Sequence, residues 1–98
     1  MARLVLSARA FADLERIFES VAVSHPDRAL ETVHRIRDAV LILEQHPMMG
    51  RQVEDGRREL VMGRGVEAYL ALYRWMPAMN VVLVLAVRNA REAGYQGA

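Results

Sequence analysis

Residues 82–95 read VLVLAVRNAREAGY, and they determine which fold the chain can adopt. The first half of this segment is apolar at every position, whereas the second half carries Arg88, Asn89, Arg91 and Tyr95. A strand that is apolar at every position is typical of one covered on both faces. The segment therefore predicts a central strand over residues 80–87. The polar residues after it are then a strand end, a site or a contact surface.

Two further strands are predicted before this one. Residues 58–62 form a short strand that ends in the turn GRG at 63–65, and residues 66–75 form a second strand that ends in the turn PAMN at 77–80. The alternation in the second strand predicts two faces. One face carries Val66, Ala68, Leu70 and Leu72, and the other carries Glu67, Tyr69, Ala71, Tyr73 and Trp75.

The N-terminal half predicts a strand followed by a helical hairpin. RLVL at 3–6 is a short strand, and Ser7 suits the N-cap of a helix over about 8–22. A second helix is predicted over about 26–45, with Ser24 as its cap, and HPMMG at 46–50 ends it. The first helix is predicted to have an apolar face and a wet face. The apolar face holds Phe11, Leu14, Phe18 and Val21, and the wet face holds Asp13, Glu15, Arg16 and Glu19. The apolar stripe of the second helix is Ala29, Val33, Ile36, Val40 and Leu43.

The order of elements, β-αα-βββ, predicts an α+β fold in which both helices pack on one face of a three-stranded antiparallel meander. We expect residues 1–98 to form a single domain whose tail, from about 89, is a short helix or flexible. The longest apolar run, residues 81–87, is far shorter than the ~20 residues that a membrane span needs. Since no signal peptide is visible either, we expect a cytoplasmic protein that does not bind membranes.

The composition excludes several kinds of chemistry. The chain has no cysteine, so zinc–thiolate sites and cysteine nucleophiles are absent. All 13 basic residues are arginine, so no lysine is available for catalysis. His25 and His46 flank prolines at helix ends, where turn or capping roles are commoner than catalysis, and no acid is spaced to form a metal site with His34. No phosphate-binding loop is present. We therefore expect neither a metal nor a cofactor.

Arginines and aromatic residues concentrate in the predicted sheet. If the helices cover one face, the other presents Tyr69, Tyr73 and Trp75, and an uncovered face of this kind is typical of a partner site. Arginine with aromatic residues can clamp phosphate and stack on bases of RNA, or can grip an acidic peptide. Ordinary solvated arginines at strand ends would give the same pattern. The arginines on these predicted β elements are Arg57, Arg58, Arg64, Arg74, Arg88 and Arg91.

These segments together resemble the RelE/ParE superfamily of toxins from bacterial type II toxin–antitoxin systems. The resemblance covers nearly the whole chain, and its β-αα-βββ layout coincides with the order of elements predicted above. It rests on the opening strand with LSARAFADLERIF at 6–18, HPDRALETVHRIRDAVLILEQHPMMGR at 25–51, AYLALYRW at 68–75 and VVLVLAVRNAREAGY at 81–95.

The resemblance implies one of two mechanisms. RelE-like members cut mRNA in the ribosomal A site with lysines, arginines and a C-terminal tyrosine or histidine, whereas ParE-like members share the fold, lack that set and poison DNA gyrase. This chain has no lysine, and Asn89 stands where the family often has histidine. Arg58, Arg88 and Tyr95 are the nearest candidates for a nuclease set. The ParE-like alternative, a toxin that is not an enzyme, is therefore favoured.

The resemblance also implies partners. We expect a cognate antitoxin, bound in a hetero-oligomer, and DNA gyrase as the target; the alternative target is the ribosome with mRNA. A third possibility is a protein-binding module without toxicity. Target contacts are expected at Arg88, Arg91 and Tyr95. Antitoxin contacts are expected at Arg58, Arg74, Tyr69, Tyr73 and Trp75.

Overall fold

The computed structural model describes residues 1–95, and within them two α-helices and five strands follow the predicted order, apart from the additional short strand β2. The last three residues of the predicted tail, 96–98, lie outside the described part. The strands are β1 (Arg3–Leu6), β2 (Arg51–Gln52), β3 (Arg58–Met62), β4 (Tyr69–Met76) and β5 (Val81–Asn89). The helices are α1 (Ala8–Ser24) and α2 (Ala29–Leu41), and α2 runs into a 3-10 turn at Ile42–Glu44.

The strands form one mixed sheet in the order β1-β5-β4-β3-β2. β1 pairs with β5 in parallel, and the other pairings are antiparallel. The predicted α+β fold, with a helical hairpin and an antiparallel meander, is confirmed. The loop predicted at 51–56 instead begins with the two-residue edge strand β2, which pairs with the start of β3.

The second helix begins three residues later than predicted. Residues 26–28 form turns, α2 starts at Ala29, and its N-cap Arg28 makes no side-chain capping bond. Ser24 is therefore the last residue of α1 rather than a cap for α2. The predicted apolar stripe of α2 does face the core, where Ala29, Ile36, Val40 and Leu43 are buried.

The side with which helix α1 packs on the sheet matches the predicted one only in part, because Leu14 and Val21 of the predicted face pack against the core and its two phenylalanines do not. Ala10, Asp13 and Ile17 are its buried residues, whereas Phe11 and Phe18 are 57% and 40% exposed. The prediction that Asp13 lies on the wet face is wrong, because its carboxylate finds hydrogen-bond donors at the sheet. The phenylalanines instead lie at the outer surface of the helical hairpin.

A β-bulge at Leu85 determines which residues of β5 face the helices. Leu72 pairs with Ala86 and Tyr73 with Val84, so Leu85 has no residue opposite it. An extra residue reverses the alternation of a strand. Val82 and Val84 before the bulge, and Val87 after it, therefore all belong to the core under the helices.

The prediction that the aromatic residues of β4 lie on the uncovered face is wrong. Tyr73 is fully buried in the core under the helices, and Tyr69 and Trp75 pack against that core. The predicted alternation is correct from Tyr69 onward, whereas Gly65–Glu67 form a 3-10 turn instead of the predicted start of the strand. Alternation states only which residues share a face. It does not state which of the two faces the helices cover.

The opposite face of the sheet, called the open face below, is defined by residues that pair directly across the strands. Cross-strand partners share a face, and the register pairs Glu59 with Leu72, Leu72 with Ala86, and Leu70 with Arg88. None of the helices in residues 1–95 is long and apolar enough to cross a membrane.

Candidate functional site

The C-terminal segment, residues 90–95, folds back over the open face. The Tyr95 hydroxyl donates a hydrogen bond to Glu59 Oε2 at 2.7 Å, and the guanidinium carbon of Arg88 lies 5.0 Å from the centroid of the Tyr95 ring. Glu59 is on β3 and Arg88 is on β5, so Tyr95 bridges the two strands that flank β4. The segment is neither a helix nor an extended tail, since it consists of a turn and bends.

Glu59 is the acid that anchors this segment. It is 6% exposed, and its Oε1 accepts hydrogen bonds from Arg51 Nη2 at 2.6 Å and Nε at 3.2 Å. Burial raises the pKa of this carboxyl, but the hydrogen bonds from Tyr95 and Arg51 and the charge of Arg51 outweigh it and hold the pKa below its usual value. Glu59 is therefore a carboxylate at neutral pH.

The same contact has the opposite effect on Tyr95. Burial, followed by the hydrogen bond to Glu59 and its negative charge, raises the pKa of the phenol well above its usual value, and the nearby Arg88 opposes this only in part. The phenol is therefore neutral and remains a hydrogen-bond donor across the physiological range.

Arg88 is held by backbone oxygens of the turn that follows it. Its Nη1 donates to the carbonyl of Glu92 at 2.8 Å and lies 3.5 Å from that of Asn89. The turn is closed by Asn89 N–H donating to Glu92 Oε2 at 2.7 Å. Asn89 Oδ1 in turn accepts from the backbone N–H and Nε of Arg91, at 2.9 and 3.2 Å.

Helix α1 reaches the same turn from the helix-covered side. Asp13 Oδ2 accepts the backbone N–H of Val87 at 2.8 Å, and Arg16 Nη2 donates to the carbonyl of Val87 at 3.4 Å. Arg16 Nη1 also forms an ion pair with Glu92 Oε1 at 2.8 Å. The side chains of one helix therefore contact both β5 and the C-terminal segment.

Sequence reasoning missed most residues of this network, namely Asp13, Arg16, Arg51, Glu59 and Glu92. One signal was available for Asp13. It lies three residues after Ala10 and four before Ile17, which places it on the buried side of α1. The pairing of Glu59 with Tyr95 joins residues 36 positions apart, and no local pattern signals it.

The predicted nuclease residues do not come together. Arg58 pairs directly with Tyr73 and so leaves the sheet on the helix-covered side, where its Nη1 donates to the carbonyls of Gly50 at 2.7 Å and Met48 at 3.1 Å. Arg88 and Tyr95 lie on the open face.

The residues predicted to contact an antitoxin are largely engaged in structural bonds. The Tyr73 hydroxyl donates to the carbonyl of Pro47 at 2.7 Å and accepts the N–H of Gly50 at 2.9 Å. Arg74 Nη1 donates to the carbonyl of Asp55 at 2.9 Å. Because Tyr73 is buried and bonded at both lone pair and proton, its role in this state is to hold the loop after α2.

Two depressions lie on the surface. A groove of about 340 Å³ on the helical hairpin, called the hairpin groove below, is lined by the apolar residues Phe11, Leu14, Phe18 and Val33 and by Glu15 and Glu19. A cleft of about 540 Å³ lies between the end of α1 and the C-terminal segment, and Arg16, His25, Tyr69 and Arg91 are among its lining residues. Within residues 1–95 there is no group of three or more histidines and acids that could hold a metal ion.

The solved structures most useful for comparison are toxins of bacterial toxin–antitoxin systems. A chain of the chromosomal ParDE system from P. aeruginosa is 28% identical, with a TM-score of 0.79 over 91% of this chain and 96% of that chain. The isolated E. coli RelE toxin is 14% identical, with a TM-score of 0.66 over 95% of this chain and 88% of that chain. The intact E. coli RelBE complex contains a chain that is 13% identical, with a TM-score of 0.64 over 94% of this chain and 100% of that chain.

The fold is therefore that of the RelE/ParE toxins, and the RelE similarities show the fold alone. The model of the ParE toxin of type II toxin–antitoxin systems (parDE) matches residues 4–94, and the chain belongs to that family. The ParE-like resemblance stated from the sequence is confirmed. No match was found among curated protein sequences.

Proposed function

We propose that this ParE-family toxin inhibits DNA gyrase and is neutralised by a cognate antitoxin, and that it does not cleave mRNA. Membership of the ParE family supports the toxin role. The observation that argues most directly against cleavage is the separation of the three candidate nuclease residues. Arg58 lies on the helix-covered side of the sheet, whereas Arg88 and Tyr95 lie on the open face. A nuclease site needs its charge-stabilising and proton-transferring groups around one phosphate.

The state of Tyr95 also disfavours RNA cleavage. Cleavage needs a base for the ribose 2′-hydroxyl and an acid for the leaving oxygen. The Tyr95 proton is engaged by Glu59, and its pKa is raised away from neutrality, so the phenol is a poor base and a poor acid. The histidines lie outside the sheet, at the end of α1, in α2 and in the loop after it.

The target surface that we propose centres on Arg91. This residue is exposed, and within residues 1–95 its two terminal guanidinium nitrogens have no hydrogen-bond partner. Arg88 is half-buried beside the Tyr95 ring and supports the segment that carries Arg91. Arginine with free terminal nitrogens can make bidentate pairs with carboxylates of a protein partner.

The antitoxin surface that we propose is the hairpin groove rather than the aromatic residues of β4. Phe11 and Phe18 are large, exposed and close together, and such a patch with a polar rim is typical of a protein contact. Glu15 and Glu19 line the groove, so a complementary amphipathic segment carries apolar residues flanked by basic ones. Acidic residues of the antitoxin would pair with the arginines around the sheet instead.

Supercoiling by purified gyrase tests the target. We expect the purified protein to inhibit supercoiling, and we expect Arg91→Ala to weaken inhibition by about tenfold because a charge-assisted contact is lost. Arg35→Ala is the matched control, since Arg35 is exposed on α2 and has only a 3.9 Å contact with Glu31. Unaffected gyrase at large excess of the protein would contradict the proposal.

Induction without the antitoxin separates the alternatives. We expect growth arrest with an SOS response and intact mRNA. New 5′ ends in translated mRNA, read by primer extension, would favour the ribosome-dependent nuclease. Normal growth with soluble protein present would favour a binding module without toxicity.

A further inference from the structure

We propose that Asp13 and Arg16 are positioning residues, which fix the C-terminal segment and thereby orient the arginines that contact the target. The orienting role rests on the proposed function, whereas the fixing of the segment does not. The two residues lie on α1, and neither is among the residues predicted to contact the target or the antitoxin.

Ser7 and side chains of α1 bind the edge of β5 beyond the point where β1 ends. β1 pairs with β5 only as far as Leu6 opposite Val84, so the last five residues of β5 lack a strand on that side. Ser7 Oγ donates to the carbonyl of Leu85 at 2.9 Å, and Asp13 and Arg16 bind the N–H and carbonyl of Val87. These side chains replace a missing strand, which keeps the backbone groups paired.

This edge of β5 leads directly to the C-terminal segment. Arg16 binds Val87 and Glu92 at once, through different terminal nitrogens. Glu92 then holds the N–H of Asn89 with one carboxylate oxygen and Arg88 Nη1 with its carbonyl. Loss of Arg16 therefore removes a charge that pairs with the carboxylate of Glu92, on which the turn closes.

Asp13 itself cannot meet a partner. It is 2% exposed, so any effect of its substitution on target binding has to act through the residues that it holds. A buried carboxylate is expensive unless it is paired and hydrogen-bonded. Here the carboxylate accepts a hydrogen bond from the Val87 N–H at 2.8 Å and lies 3.5 Å from Arg16 Nη2. The burial of Asp13 is therefore compensated only when the end of β5 is in this position.

Hydrogen exchange of the free protein tests the positioning without any partner. We expect Arg16→Ala to speed exchange of the amides of Asn89 and Arg91 by about tenfold, because a charge-assisted contact is lost. Arg35→Ala serves as the matched control and leaves these amides unchanged. Unchanged exchange at both amides in Arg16→Ala would overturn the proposal.

A charge swap separates positioning from general damage. We expect Arg16→Glu alone to speed the exchange, and Arg16→Glu combined with Glu92→Arg to restore part of the protection, because the ion pair is rebuilt with reversed sign. Failure of the swap to restore any protection, with both variants folded, would overturn the role of this ion pair. We expect Asp13→Asn to speed the same exchange, and should that variant fail to fold, the Arg16 and Glu92 variants still decide the matter.

Gyrase inhibition by the same variants tests the orienting role. We expect Arg16→Ala to weaken inhibition by about fivefold while antitoxin affinity, which depends on the hairpin groove, changes by less than about twofold. Faster exchange in the variant, together with no gyrase inhibition by the wild-type protein, would support the positioning and overturn only the proposed target. Equal inhibition by wild type and variant despite faster exchange would overturn the orienting role.

Discussion

Glu59 is a buried acid that anchors the C-terminal segment, and sequence reasoning did not identify it. Its two carboxylate oxygens serve different partners, Arg51 through one and Tyr95 through the other. Removing a donor from a buried carboxylate costs more than the hydrogen bond itself, because the charge is left partly unsatisfied. The contact between Tyr95 and Glu59 is thus the main tether at the end of the described chain.

The tether predicts a stability effect of one hydroxyl group. We expect Tyr95→Phe to lower the free energy of unfolding at pH 7 by about 2 kcal/mol, the usual range for a hydrogen bond to a charged group, measured by urea denaturation. Tyr69→Phe is the matched control, because the Tyr69 hydroxyl has no hydrogen-bond partner within residues 1–95 and its ring is retained. Equal stability of the two variants would contradict the tether.

Gly50 is the glycine whose replacement the structure forbids. A Cβ at this position would lie 2.7 Å from the Tyr73 ring edge and hydroxyl and 2.9 Å from the carbonyl of Glu59. We expect Gly50→Ala to destabilise the protein by about 3 kcal/mol through overpacking, seen as a lower midpoint of urea denaturation. At Gly94, a Cβ meets no atom of residues 1–95 within 4 Å, so Gly94→Ala should leave the midpoint nearly unchanged.

At the scale of elements, Ser7 joins the start of α1 to β5. Its Oγ accepts the N–H of Ala10 at 3.0 Å as an N-cap, and it donates to the carbonyl of Leu85 at the bulge. We expect Ser7→Ala to cost about 2 kcal/mol, the sum of a lost cap and a lost hydrogen bond. Ser24→Ala, at the exposed end of the same helix, is the control. A cost no greater than that of the control would show that the cap contributes little.

The outer face of α1 is the surface that we expect to bind the antitoxin. We expect the double variant Phe11→Ser and Phe18→Ser to lower antitoxin affinity at least about tenfold, measured by calorimetry, because exposed aromatic residues in a groove supply much of a protein contact. Unfolding free energy should change little, since both rings are exposed. Val23→Ser is the control, because Val23 is 86% exposed on the same helix and lies outside the groove. Unchanged affinity in the double variant would show that the antitoxin binds a surface other than the hairpin groove.

Most elements were predictable because each has a local period or a turn signal. The alternation in β4 and the stripe of α2 are both correct. What local periods cannot supply is the side of an element that meets its neighbour. The orientation of α1 depends on donors offered by Val87, and the covered face of β4 depends on where the helical hairpin docks. The bulge at Leu85 and the two-residue strand β2 are likewise set by partners distant in the chain.

The same limit applies to the candidate site. Arg88 and Tyr95 were predicted together, and they are in contact. Arg58 was grouped with them because it occupies a matching position in the chain, but strand parity places it on the other side of the sheet. The acids that organise the site lie on α1, β3 and the last turn, and only the three-dimensional fold brings them together.

For the whole molecule, the pair of Glu59 and Tyr95 predicts two pH limits. The pKa of Glu59 is lowered from 4.5, so its stabilising contribution is present above that value and is lost as the pH falls. The pKa of Tyr95 is raised from 10.0, so the contribution of the neutral phenol is present below that value and is lost as the pH rises further.

The difference in unfolding free energy between wild type and Tyr95→Phe isolates these two titrations. We expect the difference to be constant between about pH 5 and pH 9 and to shrink on both sides. Urea denaturation from about pH 3 to about pH 11 measures it, and the other ionisable groups cancel because both proteins share them. A difference that stayed constant down to about pH 3 would show that the hydrogen bond from Tyr95 does not lower the pKa of Glu59.

The parallel pairing of β1 with β5 joins residues that are 78 positions apart, since Arg3 lies opposite Val81 and Leu6 lies opposite Val84. Strand β1 therefore cannot take its place in the sheet before β5 has been made. Contacts this far apart in sequence form late. We therefore expect β1 to be the last strand to dock, so that completion of the sheet waits for this one non-local pairing while the helical hairpin and the antiparallel strands are already able to form.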